Sequence, residues 1–177
     1  MKMKRILAAT LAIVATTMLA NPADAQRRTT FGFAAGASLP ISDFGDLAST
    51  GYHALGTLSI SGTATSPIGF RVDAMYNGLS GKSELPDWTV WTVNGNLVYA
   101  FPGGLSATPY LIGGAGWYNL DVDESGAEST NEFGLNGGIG ARFALSGFST
   151  FVEARYHYMF SDPDSAQLIP LTFGIVF

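Results

Sequence analysis

The chain has 177 residues, no cysteine and a formal net charge of −5, with 13% charged and 47% hydrophobic residues. That length suits one domain, the missing cysteines exclude disulfides, thiolate metal sites and thiol nucleophiles, and the acidic balance argues against nucleic-acid binding. Charged residues at about half the usual ~25% are too few to coat a surface that faces water.

The chain opens with a basic cluster, Lys2, Lys4 and Arg5, followed by an uncharged, mostly apolar run from Ile6 to Leu19. Ala23-Asp24-Ala25 then reads as a small-x-small cleavage site. The layout is that of a secretory signal peptide over residues 1–25, with one domain over 26–177 starting at Gln26. The apolar run is short for the ~20 residues of a membrane-spanning helix, and no cysteine is present for lipid anchoring. From Gln26 onward six of the nine basic and thirteen of the fourteen acidic residues remain.

Eight alternating segments follow, separated by turn signals. The first, about 29–39, sets Phe31, Phe33, Ala35, Ala37 and Leu39 against Gly32, Ala34, Gly36 and Ser38. The second, about 52–61, turns Tyr52, Ala54, Leu58 and Ile60 outward. The third, about 67–77, sets Ile68, Phe70, Val72, Ala74 and Tyr76 against Arg71, Asp73 and Asn77. The fourth, about 88–101, sets Trp91, Val93, Leu97, Tyr99 and Phe101 against Thr92, Asn94 and Asn96. In the fifth, about 108–119, both faces are apolar or small; the expected outward set is Tyr110, Ile112 and Tyr118. The sixth, about 132–143, sets Phe133, Leu135, Ile139, Ala141 and Phe143 against Glu132, Asn136 and Arg142. The seventh, about 150–160, sets Val152, Ala154, Tyr156, Tyr158 and Phe160 against Glu153, Arg155 and His157. The last turns Ile169, Leu171, Phe173, Ile175 and Phe177 to one face, with Thr172, Gly174 and Val176 on the other.

Each segment has roughly the 9–11 residues that a tilted membrane strand needs. The connections alternate: longer at 40–51, 78–87, 120–131 and 161–167, short at 62–66, 102–107 and 144–149. Ten of the thirteen acids after Gln26 fall in the longer set: Asp43, Asp46, Glu84, Asp87, Asp121, Asp123, Glu124, Glu128, Asp162 and Asp164. Six strand charges remain, Arg71, Arg142 and Arg155 against Asp73, Glu132 and Glu153, all opposite the large apolar residues. A soluble barrel would place its charges on a solvated outer face. Here the polar face reads as a lumen in which three ion pairs match, with His157 in the same polar network. Aromatic residues gather at two levels, as an interface-anchored barrel requires. Phe31, Tyr99, Phe101, Tyr110, Phe143 and Phe177 form one; Tyr52, Tyr76, Trp88, Tyr118, Tyr158 and Phe160 form the other.

The closing segment, apolar at every second position and ending on Phe177, resembles the last strand of bacterial outer-membrane β-barrels. Phe151-Val152-Glu153-Ala154-Arg155-Tyr156-His157-Tyr158 is similar to their penultimate strand, where members often read aromatic-x-acid-Ala-Arg-Tyr. Thr108-Pro109-Tyr110-Leu111-Ile112-Gly113-Gly114-Ala115-Gly116 looks like their fifth strand. The resemblance covers the chain from Gln26 on. It implies an all-β, eight-stranded antiparallel up-and-down transmembrane barrel in the outer membrane of a Gram-negative cell envelope. It further implies an assembly signal at Ile169, Leu171, Phe173, Ile175 and Phe177 read by the barrel assembly machinery. Members serve as envelope-stabilising, adhesive or immune-facing proteins, and a few are enzymes.

The expected role is structural or surface-interacting: a monomer among outer-membrane lipids, with no cofactor, no nucleic-acid partner and no catalysis. The alternatives are a lipid A-modifying barrel enzyme and a small-conductance pore. His157 with Glu153 is the one candidate acid–base pair. In the similar lipid A deacylases, however, an outward histidine stands two residues before serine, and Met159 occupies that place here. Asp121, Asp123, Ser125 and Glu132 match a calcium-loop spacing apart from the serine. Their flanks are strands, and the plainer reading is a solvated acidic hairpin.

Overall fold

A computed structural model describes residues 29–60, 67–83, 85–102, 107–124, 129–161 and 165–177. The signal-peptide segment 1–25 lies outside them. Eight strands form a closed barrel in chain order: β1 (Thr29–Ile41), β2 (Gly51–Ile60), β3 (Ile68–Leu79), β4 (Trp88–Ala100), β5 (Ala107–Val122), β6 (Thr130–Ala144), β7 (Ser149–Met159) and β8 (Ala166–Val176). All neighbours are antiparallel, and β1 pairs with β8 from Gly32↔Val176 to Ile41↔Gln167. The seam is locked at its end by two backbone bonds: Phe31 N–H donates to Phe177 O at 3.2 Å and Phe177 N–H donates to Phe31 O at 2.8 Å. The Phe31 and Phe177 rings stack at 5.6 Å between centroids.

Strict alternation makes the barrel two-faced, because successive strand residues point to opposite sides. Phe33, Leu97, Ile139 and Phe173 are exposed on the outside, while Arg71, Asp73, Asn94 and His157 are buried inside. The outer aromatics form ladders across strands. Tyr76 packs on Tyr52 at 6.1 Å and on Trp91 at 4.9 Å, and Phe160 stacks on Phe133 at 6.1 Å. No helix among the described residues is long and apolar enough to cross a membrane.

The fifth strand differs from expectation. Tyr110, Ile112 and Tyr118 point inward, with 5%, 4% and 1% exposure, and Leu111 and Trp117 take the outer face. The segment's own pattern does not decide the phase; the facing strand does. A Cβ on Gly134 would lie 2.6 Å from Tyr118 Cε2, and one on Gly140 would lie 2.8 Å from Tyr110 Cε1. Glycines in β6 therefore open the space that two inward tyrosine rings fill. Tyr110 and Tyr118 leave the aromatic girdles, and so does Trp88, whose ring meets Phe44 edge-on at 5.4 Å inside the barrel mouth.

Phe44 belongs to a short helix not expected from the sequence, α1 (Ser42–Leu47), within the first long connection. Ser42, with φ 53°, turns the chain out of β1. The helix is tied down by Lys82 Nζ donating to Gly45 O, by Lys82 N–H donating to Leu47 O at 2.9 Å, and by Ser42 Oγ donating to Gln167 Oε1 at 3.0 Å. Phe44, Val90, Tyr118, Met159 and Leu168 pack as an apolar cluster beneath it, which closes the long-loop end of the barrel.

Deleting Phe177 removes both terminal backbone bonds and the ring stack. Each lost bond of this kind is worth ~0.5–1.5 kcal/mol. In refolding into lipid vesicles without other proteins, followed by heat-dependent gel mobility, the deletion is expected to lower the folded fraction well below that of Glu124→Ala in a loop.

Candidate functional site: the barrel lumen

The third and seventh strands each bring one arginine and one acid inward two residues apart: Arg71 and Asp73, Glu153 and Arg155. In a strand that spacing puts both side chains on one face. The four meet across the lumen. Arg71 Nε donates to Asp73 Oδ2 at 3.1 Å and Arg71 Nη2 donates to Glu153 Oε1 at 2.8 Å. Arg155 Nη1 lies 2.9 Å from Asp73 Oδ2, and Arg155 Nε donates to Glu153 Oε1 at 2.9 Å. The network is thus a neutral square of two cations and two anions. Asn96 Nδ2 donates to Asp73 Oδ2 at 3.0 Å and Tyr110 Oη donates to Glu153 Oε2 at 2.8 Å. Arg71 also lies over the Phe151 ring, 5.8 Å from its centroid. A Cβ on Gly138 would sit 2.8 Å from Arg155 Cγ, so that glycine gives the long side chain its room.

Glu132 and Arg142 stand apart from this square. Both face the lumen side of β6, but at its opposite ends, so neither reaches the other. Among the described residues neither makes an ion pair. The expectation of three matched pairs is corrected to one four-membered network plus two separate charges: ten residues of strand at about 3.3 Å each separate Glu132 from Arg142.

Two histidines complete the polar interior. His157 is fully buried, with Nδ1 2.8 Å from Tyr118 Oη. It makes no hydrogen bond to Glu153 among the described residues, and Met159 lies buried beside it on the same face. His53, which the sequence analysis did not single out, sits between Ser38 and Thr172. Asn77 Nδ2 donates to Val90 O at 3.0 Å, which turns its Oδ1 toward Ser38. Ser38 Oγ donates to that oxygen at 2.7 Å. With its one proton so used, Ser38 accepts from His53 Nδ1–H at 3.0 Å, and His53 Nε2 accepts from Thr172 Oγ1 at 3.0 Å. The bonding pattern therefore assigns the tautomer. A serine facing an N–H rather than a lone pair has no base to activate it.

The described ends of the acidic hairpin do not converge as the ends of a twelve-residue calcium loop would. Its strands run on to Val122 and from Thr130, with Tyr118 opposite Glu132. Asp121 lies exposed on the outer face while Glu132 faces the lumen, so they point to opposite sides of the same hairpin. Ser125 lies outside the described residues. Among the described residues no group of three or more His, Asp or Glu is placed to hold a metal ion. Asp87, Asp121, Asp123 and Glu124 instead line an open pocket of about 820 Å³ at the long-loop mouth, beside Tyr52, Tyr76 and Trp88.

The family described as outer membrane protein beta-barrel domain matches residues 8–177. The chain belongs to that family. It is an integral protein of the outer membrane, and its apolar exterior faces lipid. In such barrels the short turns face the periplasm and the longer loops the outside, which puts α1 and the acidic mouth at the outer surface. No curated protein matches the chain by sequence. Among solved structures it is similar to neisserial surface protein A, NspA, at 18% identity over 85% of this chain and 97% of that one, with a TM-score of 0.69. Ail, the attachment invasion locus protein of Yersinia pestis, matches at 18% identity over 86% of this chain and 99% of that one, with a TM-score of 0.57. The outer membrane enzyme PagL matches at 21% identity over 84% of this chain and 98% of that one, with a TM-score of 0.52. The fold is shared with an enzyme and with proteins named for surface location and attachment, so it does not set the role, which must be read from this chain's own side chains.

Glu153 holds both buried arginines, so Glu153→Gln leaves two cations short of their partner. Breaking a buried pair from one side costs ~3–5 kcal/mol. Urea unfolding of the barrel in lipid is expected to show a loss of that order. The loss should be smaller when Arg155→Gln is added than the two single losses summed; strict additivity would contradict a coupled network.

Proposed function

We propose that this barrel is a monomeric structural or surface-interaction protein of the outer membrane, not an enzyme and not an open pore. The observation that carries the reading is the double obstruction of the lumen. A charge-neutral square of Arg71, Asp73, Glu153 and Arg155 spans its middle, and the Phe44–Trp88 contact caps its outer end. An eight-stranded barrel is just wide enough for its own side chains to fill. The histidines support a non-catalytic role. His157 faces inward, away from lipid, against Tyr118, and His53 offers Ser38 a proton instead of accepting one.

The outer face points to the chemistry of a partner. Ail has been solved in complex with the heparin analogue sucrose octasulfate. This chain's outer mouth carries Asp87, Asp121, Asp123 and Glu124 around one pocket, which repels a polyanion and favours a cationic surface. On the lipid side, Ile169, Leu171, Phe173, Ile175 and Phe177 act as the assembly signal that the barrel assembly machinery reads, and outer-membrane lipids cover the apolar band.

The reading is tested on lipid A and on current. Mass spectrometry of lipid A from a deletion strain is expected to match the parent strain; a modification lost on deletion would establish the enzyme. Purified barrel in planar bilayers is expected to show no steady conductance. A sustained open level in the unaltered protein would overturn the filled-lumen reading.

A further inference from the structure

The four central charges cancel, and Glu132 lies at the other end of the barrel, which leaves Arg142 at the periplasmic end of the lumen with no ion-pair partner among the described residues. Its guanidinium makes no hydrogen bond or ion pair with a described residue, and an arginine does not shed its proton in a protein. In sequence, the connecting segments 61–66, 101–106 and 145–148 contain no acidic residue. Arg142 lines a pocket of about 210 Å³ together with Ser59, Thr108 and Tyr110. Thr108 is its direct cross-strand neighbour in β5, and the Tyr110 hydroxyl is committed to Glu153. Ser59 and Thr108 therefore remain as the hydroxyls on the wall beside the guanidinium. The pocket does not end in the lumen. Ile60 and Phe70, both on the lipid-facing side, also line it.

We propose that this pocket binds a phosphate group, with Arg142 as the charge partner and Ser59 and Thr108 as hydroxyl donors. A half-buried cation needs a counter-ion. Arginine is suited to phosphate because its planar fork offers paired N–H donors. The mixed lining, cationic and hydroxylic on the lumen side and apolar on the lipid side, fits the headgroup of a phospholipid in the periplasmic leaflet, with its chains against Ile60 and Phe70. A free phosphate shares the same chemistry at the inner wall.

The test uses the full barrel, refolded and checked for heat-dependent gel mobility, with Arg142→Gln and Arg142→Lys beside it. One arm titrates inorganic phosphate calorimetrically in a zwitterionic detergent without phosphate. The other measures phosphatidylglycerol retained on the barrel by native mass spectrometry. The unaltered protein is expected to bind in at least one arm. Arg142→Gln should weaken binding about tenfold or more, as expected for a charge-assisted contact, and Arg142→Lys should weaken it less. Binding in the lipid arm alone assigns the headgroup as the source, and binding in the phosphate arm alone assigns the free ion. Absence of binding in both arms, or equal binding by folded Arg142→Gln, overturns the proposal.

Discussion

Hydrocarbon offers no hydrogen bonds, so a backbone that crosses a membrane must satisfy every N–H and C=O itself. For a sheet, the only complete solution is to have no edge, and the rest of this molecule depends on that closure. β1 must meet β8, which requires an even strand number and brings Phe31 and Phe177 into mutual hydrogen bonds. Closure at eight strands then fixes a narrow interior. Every second residue of eight strands must fit there, so small residues have to stand opposite large ones. Gly138 beside Arg155, Gly134 beside Tyr118 and Gly140 beside Tyr110 are places where a Cβ would collide with the large neighbour.

A narrow interior also sets its electrostatics. Charges placed in it are far from water and must be matched on the spot. Arg71, Asp73, Glu153 and Arg155 achieve this with two residues from each of two strands, at one level of the barrel. Charges that are not matched are carried to the mouths, Glu132 outward and Arg142 toward the periplasm. Above the square, α1 and Phe44 replace polar filling with apolar packing. The molecule is therefore layered along its axis: an acidic rim, an apolar cap, a neutral polar middle and a cationic lower mouth.

Most of this was legible because period-two alternation is unambiguous where one face is large and apolar and the other small or polar. Strands such as 67–77 and 150–160 read cleanly, and so did the closing strand. The reading broke where alternation carries no contrast. In 108–119 both faces are apolar or glycine, so the phase of Tyr110 and Tyr118 is decided by glycines on β6, a non-local fact. Trp88 misled for a related reason: an aromatic at a strand end fits a membrane girdle and an internal cap equally well in sequence. Helix α1 was missed because six residues are too few to show a helical period. The pairing of charges was misjudged because strand faces are visible in sequence but axial levels are not. Glu132 and Arg142 share a face and lie at opposite ends of it.

The most direct test of the closed, eight-strand account is amide hydrogen exchange of the barrel in lipid bilayers, resolved by strand. Slow exchange reports backbone groups that are bonded and opened only by large-scale unfolding. The account predicts that amides of β8 between Leu171 and Val176, and of β1 between Gly32 and Ile41, exchange as slowly as those of the β3–β4 pair. Rapid exchange along β1 and β8 with slow exchange elsewhere would mean an open edge, and would contradict the closure from which the other features follow.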